Sequence, residues 1–327
     1  MIVVVTGASA GVGRATALEF AAHGWDIAIL ARNAERLDAA ATEIRQHGVR
    51  ALPLVVDVAD FAAMDAATGR IERELGPIDV WINNAMVTVF APVGRITPEE
   101  FRRATEVTYL GQVHGTMIAL ARMCARDRGT IINVGSALAY RALPLQAAYC
   151  GAKYAVRGFT DALRSELMHD RSAVRLLMVH LPAVNTPQFD WALNKTGRRA
   201  KPVPPIFQPE VPARAIFFAA THPRRREIWV GWPTVKTITA NRLAPGLLDR
   251  YLAKAGYSGQ LTNEPLPANA PANLFRSPDG AMSAHGRFDA EARGGAWELR
   301  AARHRKSIAA AAIGLASVSL VGWALRR

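Results

Sequence analysis

Up to about residue 250, short and continuously apolar runs alternate with stretches whose apolar residues recur every three to four positions. The apolar runs at 2–5, 26–31, 52–56, 80–82, 130–134 and 175–180 predict six strands. The intervening stretches 13–23, 33–47, 61–75, 98–125 and 147–169 have helical spacing; Leu37, Ala40, Ala41 and Ile44 show it for the second. Strands without a polar alternation, separated by helices, predict a parallel sheet covered on both faces. Right-handed crossovers then give an α/β, doubly wound sheet in a single domain. No internal repeat is found.

The texture changes after residue 255. Residues 256–300 hold Pro265, Pro267, Pro271 and Pro278 among many small and polar residues, and no period persists. The stretch 256–306 is expected to be an irregular linker, with Gly286-Arg287-Phe288-Asp289 as the part that could instead dock on the domain. Residues 307–325 carry no charge. As a helix they would span about 28 Å, close to the apolar thickness of a bilayer. Arg303, His304, Arg305 and Lys306 precede them, and Arg326 and Arg327 follow. The expectation is a single transmembrane helix with the basic cluster on the cytoplasmic side. The alternative is a soluble or interfacial helix packed on the domain or a partner. The start of the chain has no secretory pattern, so the domain spanning 1–255 is expected in the cytoplasm.

Composition narrows the function. Half of the 327 residues are hydrophobic and 20% are charged, which excludes a disordered or fibrous chain. Two cysteines, Cys124 and Cys150, make neither a disulfide framework nor a four-thiolate zinc site, and the eight histidines show no metal-ligand spacing. The net charge of +13 suits anionic cofactors or surfaces. Its clusters, such as Arg224-Arg225-Arg226, are scattered rather than ranged along one stripe, so no nucleic-acid partner is expected.

Between the first strand and first helix runs Thr6-Gly7-Ala8-Ser9-Ala10-Gly11-Val12-Gly13. Glycines there allow a tight turn and close approach of a pyrophosphate to free amides at a helix N-terminus. Gly7, Ser9, Ala10, Gly11, Val12 and Gly13 are the expected phosphate loop of a Rossmann-type fold. After the second strand stands Leu30-Ala31-Arg32-Asn33, with no acidic residue. A basic Arg32 suits the 2′-phosphate, so NADP(H) is favoured over NAD(H). Tyr149 and Lys153 are four apart and share a helix face. A free tyrosine has a pKa of about 10, and an adjacent ammonium lowers it. Ser136 follows the fifth strand, where ligands gather in such sheets.

With TGASAGVG at 6–13, Asp57-Val58, Asn83-Asn84-Ala85, Ser136, Tyr149 and Lys153, the chain resembles the short-chain dehydrogenase/reductase family over about residues 1–235. The resemblance implies that Tyr149 is the general acid/base and that Ser136 orients the substrate oxygen. It gives Lys153 two tasks, lowering the tyrosine pKa and binding the nicotinamide ribose. It also implies that Asp57 and Val58 contact adenine, that Asn83 and Ala85 line the cofactor cleft, and that Thr186 lies near the carboxamide. A homo-oligomer pairing the helices near 98–125 and 147–169 is the family's habit. The chain departs from the pattern with Thr108 where a relay asparagine is usual, Met86 for a glycine, and Pro182-Ala183 for Pro-Gly. The implied activity is hydride transfer between a nicotinamide and a small-molecule carbonyl or secondary alcohol. Phe189, Trp191 and Leu193 beside Lys195, Arg198, Arg199 and Lys201 suit a lipophilic substrate with a polar or acidic end, or a lid near an anionic membrane. The alternative is a non-catalytic NADP(H)-binding sensor or membrane-tethered scaffold.

Overall fold

The computed structural model describes residues 1–280 and 283–296; the expected membrane segment 307–325 lies outside the described residues. Seven parallel strands form the central sheet: β1 (Ile2–Thr6), β2 (Asp26–Ala31), β3 (Ala51–Val55), β4 (Val80–Asn83), β5 (Thr130–Ser136), β6 (Arg175–Leu181) and β7 (Glu227–Trp229). Their spatial order is β7-β6-β5-β4-β1-β2-β3, the Rossmann-like arrangement with its reversal between β1 and β4. β7 was not expected. It has three residues, only one of them fully buried, and follows three arginines, so it leaves little apolar signal.

Alternation along each strand divides the core in two. Val3, Val5, Ile27 and Ile29 pack with the helices Gly11–Ala21, Ala34–Arg45 and Glu210–Thr221. Val4, Ala28, Leu30 and Trp81 pack with Phe61–Glu74, Gly111–Cys124 and Ala147–His169. Several helices begin on side-chain caps. Asn33 and Asp60 each accept a first-turn amide, and Thr97 with Glu100 closes a reciprocal box. The helix Gly11–Ala21 has no side-chain cap, and its Gly11 amide donates instead to the Ser283 carbonyl (3.2 Å).

The helix expected at 98–125 is divided. Pro98–Thr105 runs into a π-helical turn, Glu106–Leu110, before Gly111–Cys124 resumes. Within the turn the Thr108 hydroxyl donates to the Val87 carbonyl (2.8 Å) and accepts from the Val87 amide (3.0 Å). Gly111 then lies so close to Val58 that a Cβ would come within 2.5 Å of it.

The linker expected from residue 256 is instead packed on the domain over the described residues 256–280 and 283–296. Leu261–Pro265 pairs antiparallel with Arg198–Ala200. Leu274, Phe288 and Ala296 are buried, and the Arg293 amide donates to the Ile206 carbonyl. These contacts use main-chain groups and isolated apolar anchors, which produce no periodicity. Among the described residues no helix is long and apolar enough to cross a membrane.

Candidate active site

A glycine at position 7 is required twice. Its φ is +68°, and a Cβ there would lie 2.8 Å from the Ala85 Cα. At Gly13 the constraint is closer still, since a Cβ would meet the Gly7 carbonyl oxygen at 2.2 Å and Asn84 Nδ2 at 2.6 Å. Asn84 secures the loop by donating to the Thr6 carbonyl (3.0 Å), while the Asn84 and Ala85 amides donate to the Thr6 hydroxyl (2.9 and 3.1 Å). The loop is thus pinned to the end of β4.

A cleft of about 400 Å³ runs from this loop along the carboxyl ends of the strands. Of the expected residues, Gly7, Ser9, Ala10, Gly11, Val12, Arg32, Asp57, Val58, Ala85, Ser136, Tyr149, Lys153 and Thr186 line it. Three do not. Gly13 serves the close packing just described. Asn83 lies in the core, where it accepts from Trp81 Nε1 (2.7 Å) and donates to Thr116 (2.9 Å) and Asn133 (2.8 Å). Asn84, not Asn83, faces the cleft. Thr108 is fully buried behind Val87, and its proton is committed to the Val87 carbonyl.

Ser136 ends β5, and its hydroxyl accepts from the Leu138 amide (3.1 Å). Tyr149 and Lys153 sit in the first turns of the helix Ala147–His169. Ser136 faces the Tyr149 phenol and acts to lower its pKa. Lys153 Nζ lies 5.7 Å from the Tyr149 ring centroid and donates to the Val134 carbonyl (2.6 Å). Burial dominates both groups: it pushes the phenol above its ordinary range, against the effect of Ser136, and pulls the ammonium down to about 7.

Beneath Ser136 lies a group that sequence reasoning missed. His180 Nδ1 is 3.2 Å from the Ser136 carbonyl, and Nε2 is 3.7 Å from the Glu227 carboxylate. Tyr140 and Trp229 also donate to Glu227. Burial lowers His180 to about 4 against the pull of Glu227, so the ring is neutral at pH 7. The available signal was a lone histidine in an otherwise apolar strand.

The outer wall of the cleft is made by the segment after residue 270. Arg32 donates to the carbonyls of Asn273 (2.5 Å), Leu274 and Phe275 (3.3 Å each). Arg36 donates to the Ser277 hydroxyl and the Gly280 carbonyl, and the Gly11 amide donates to the Ser283 carbonyl (3.2 Å). Asp57 is ion-paired with Arg103, which also donates to the Leu274 carbonyl. Asn185 holds the far end of the segment at Phe288 and Asp289. Arg36, Asn273 and Ser277 line the cleft with these partners and had no motif to announce them. The Trp191 ring lies under the Arg36 guanidinium, 4.9 Å from ring centroid to the cation, and its carbonyl accepts from the Asn273 amide (2.8 Å). Phe90, Leu143, Phe189 and Val203, with Gln146 and Lys201, complete the lining. No group of three or more potential metal-ligating side chains occurs among the described residues.

A family model described as short chain dehydrogenase matches residues 1–196. An uncharacterized oxidoreductase, YxnA of Bacillus subtilis, is 31% identical over 268 residues, covering 81% of this chain and 74% of that protein. A 3-dehydrosphinganine reductase of Danio rerio is 30% identical over 192 residues, or 57% of each chain. Among solved structures, an alcohol dehydrogenase of the archaeon Thermococcus sibiricus complexed with 5-hydroxy-NADP superposes with a TM-score of 0.61 at 25% identity, over 70% of this chain and 95% of that one.

Proposed function

The chain belongs to the short-chain dehydrogenase/reductase family of oxidoreductases, and from that premise we propose that it moves a hydride between NADP(H) and the carbonyl or alcohol carbon of a lipophilic substrate. The observation that carries the reading is the convergence of Tyr149, Ser136 and Lys153 on one stretch of cleft wall, in line with the glycine loop.

The residues present fit a dinucleotide. Gly7 and Gly13 leave a cradle that side chains would fill, and the helix behind them begins without a side-chain cap. A pyrophosphate is the anion such an end accepts. Arg32 and Arg36 would meet the adenosine end, where their fixed charge favours a 2′-phosphate. When bound, the nicotinamide supplies or takes up the hydride. In the reducing direction Tyr149 gives its phenolic proton to the substrate oxygen, and Ser136 holds that oxygen by a hydrogen bond. Lys153 offsets the charge left on Tyr149, an effect strengthened by burial of both groups. Phe90, Leu143, Phe189 and Val203 exclude water at the substrate end and support an apolar substrate body. An anchor at residues 307–325 would bring the site near a bilayer.

Thr108 favours one competing reading. Its hydroxyl proton is held by Val87, so a water relay through it is weakened and the chain would bind cofactor without turnover. Both readings are tested by NADPH oxidation with ketones from short to long chain, using NADH and Tyr149→Phe as controls. Turnover lost in Tyr149→Phe, by about 10²-fold or more, is expected. Tight NADPH binding with no turnover across the panel, regained in Thr108→Asn, favours the sensor; no gain in Thr108→Asn points to a substrate outside the panel.

A further inference from the structure

Resting on that reading of the cleft, we propose that the substrate carries an oxyanion, a carboxylate or a phosphate ester, which Lys201 recognises at the end of the cleft away from the adenosine site. Five acidic or basic side chains line the cleft: Arg32, Arg36, Asp57, Lys153 and Lys201. The first four are committed. Arg32 and Arg36 belong to the adenosine end, where they also hold the 273–280 segment, Asp57 is ion-paired with Arg103, and Lys153 donates to Val134 beside Tyr149. The Lys201 ammonium makes no hydrogen bond or ion pair among the described residues.

Its neighbours sharpen the contrast. The flap cations Lys195, Arg199 and Arg287 are neutralised by Glu100, Glu264 and Asp190. Arg198 is exposed and does not line the cleft. Lys201 is partly buried, and the cleft it lines is largely apolar, with Phe90, Leu143 and Val203 among its other lining residues. An ammonium that faces an apolar cleft and has no partner among the described residues offers an entering anion more than a fully solvated lysine does.

The main chain fixes where this charge sits. The Lys201 amide donates to the Gln260 carbonyl (2.8 Å). The Gln260 side chain accepts from Gln146 (2.7 Å), which immediately precedes the helix carrying Tyr149. Lys201 is therefore tied to the catalytic side of the cleft, while the adenosine side has its own arginines. A substrate with its carbonyl at Tyr149, its apolar body along the aromatic wall and its oxyanion at Lys201 satisfies the whole lining. A lysine, as a compact point charge, serves either oxyanion equally.

The test is binding to the full chain with NADP⁺, which forms a dead-end complex with a ketone. Three probes share one medium-length keto chain: the keto acid, its methyl ester, and the phosphate monoester of the matching keto alcohol. Calorimetry is expected to show at least one anion bound about tenfold or more tightly than the ester, a difference of about 1.4 kcal/mol. Lys201→Met is expected to erase that preference and leave ester binding unchanged, which also certifies its folding. Preference for one anion identifies the oxyanion. Equal binding of all three probes, or a preference that survives Lys201→Met, overturns the proposal. NADPH turnover is read separately. Reduction of the ester without an anion preference leaves the reductase reading intact and removes this one; an anion preference without turnover of any probe does the reverse.

Discussion

Arg32 donates to the main-chain carbonyl of Asn273, 241 residues further along the chain. The side chain that meets the adenosine end of the cleft is therefore also the clamp on the segment that closes it. Arg32→Ala is expected to raise the KM for NADPH about tenfold or more, as loss of charge-assisted hydrogen bonds does, with a much smaller effect on NADH. The same variant should free residues 273–280, seen as faster proteolytic cleavage there. Equal effects on both cofactors would leave Arg32 with the clamp alone.

Lys153 should give the enzyme an unusual pH dependence. Burial lowers its pKa from 10.5 to about 7, and the charged form is the one that offsets a Tyr149 phenolate. The rate of carbonyl reduction is expected to fall as pH rises through about 7. Stability should move the other way. Between about 7 and 10.5 the unfolded chain holds the proton and the folded chain has released it, so stability rises with pH across that window. Urea unfolding of wild type and Lys153→Met at the two ends of the window checks the sign, because the gain should be smaller in the variant.

At Gly13 a single methyl group is enough to separate loop from strand. The added Cβ would face a backbone oxygen at 2.2 Å, which no side-chain rotation relieves. Gly13→Ala is expected to abolish NADPH binding, followed by cofactor fluorescence, with circular dichroism reporting whether the fold survives. Gly151→Ala, at a helical site with nothing within 4 Å of the added Cβ, serves as the harmless control.

Asn83→Ala should behave as a core mutation and not as a cofactor-site mutation. It removes the acceptor of Trp81 Nε1 and the donor to Thr116 and Asn133, all of them buried. A loss of about 2–4 kcal/mol is expected in urea unfolding, since a stranded buried polar group costs about 1–3 kcal/mol. The KM for NADPH should stay within about twofold, roughly 0.4 kcal/mol. A large change in KM with unchanged stability would return Asn83 to the cleft.

Six of the seven sheet strands and the main helices from the first to Ala147–His169 were legible from the chain, because each buries a face and a buried face imposes a period. The glycine loop, Ser136, Tyr149 and Lys153 were legible because their chemistry depends on local spacing, four residues within one helix or a turn at a strand end. Asn83 and Asn84 show the limit. Both belong to one motif, but Asn83 shares its strand face with the buried Trp81, and only Asn84 turns toward the loop. The alternation of a strand held that answer once the core face was known. Other features had no sequence signal of their own. The extra turn at 106–110 depends on Val87 being at hand, and the docking of 273–289 runs through carbonyls and amides that every residue carries. Periodicity records which side chains leave water. Which backbone groups meet across 241 residues is decided only when the chain has closed on itself.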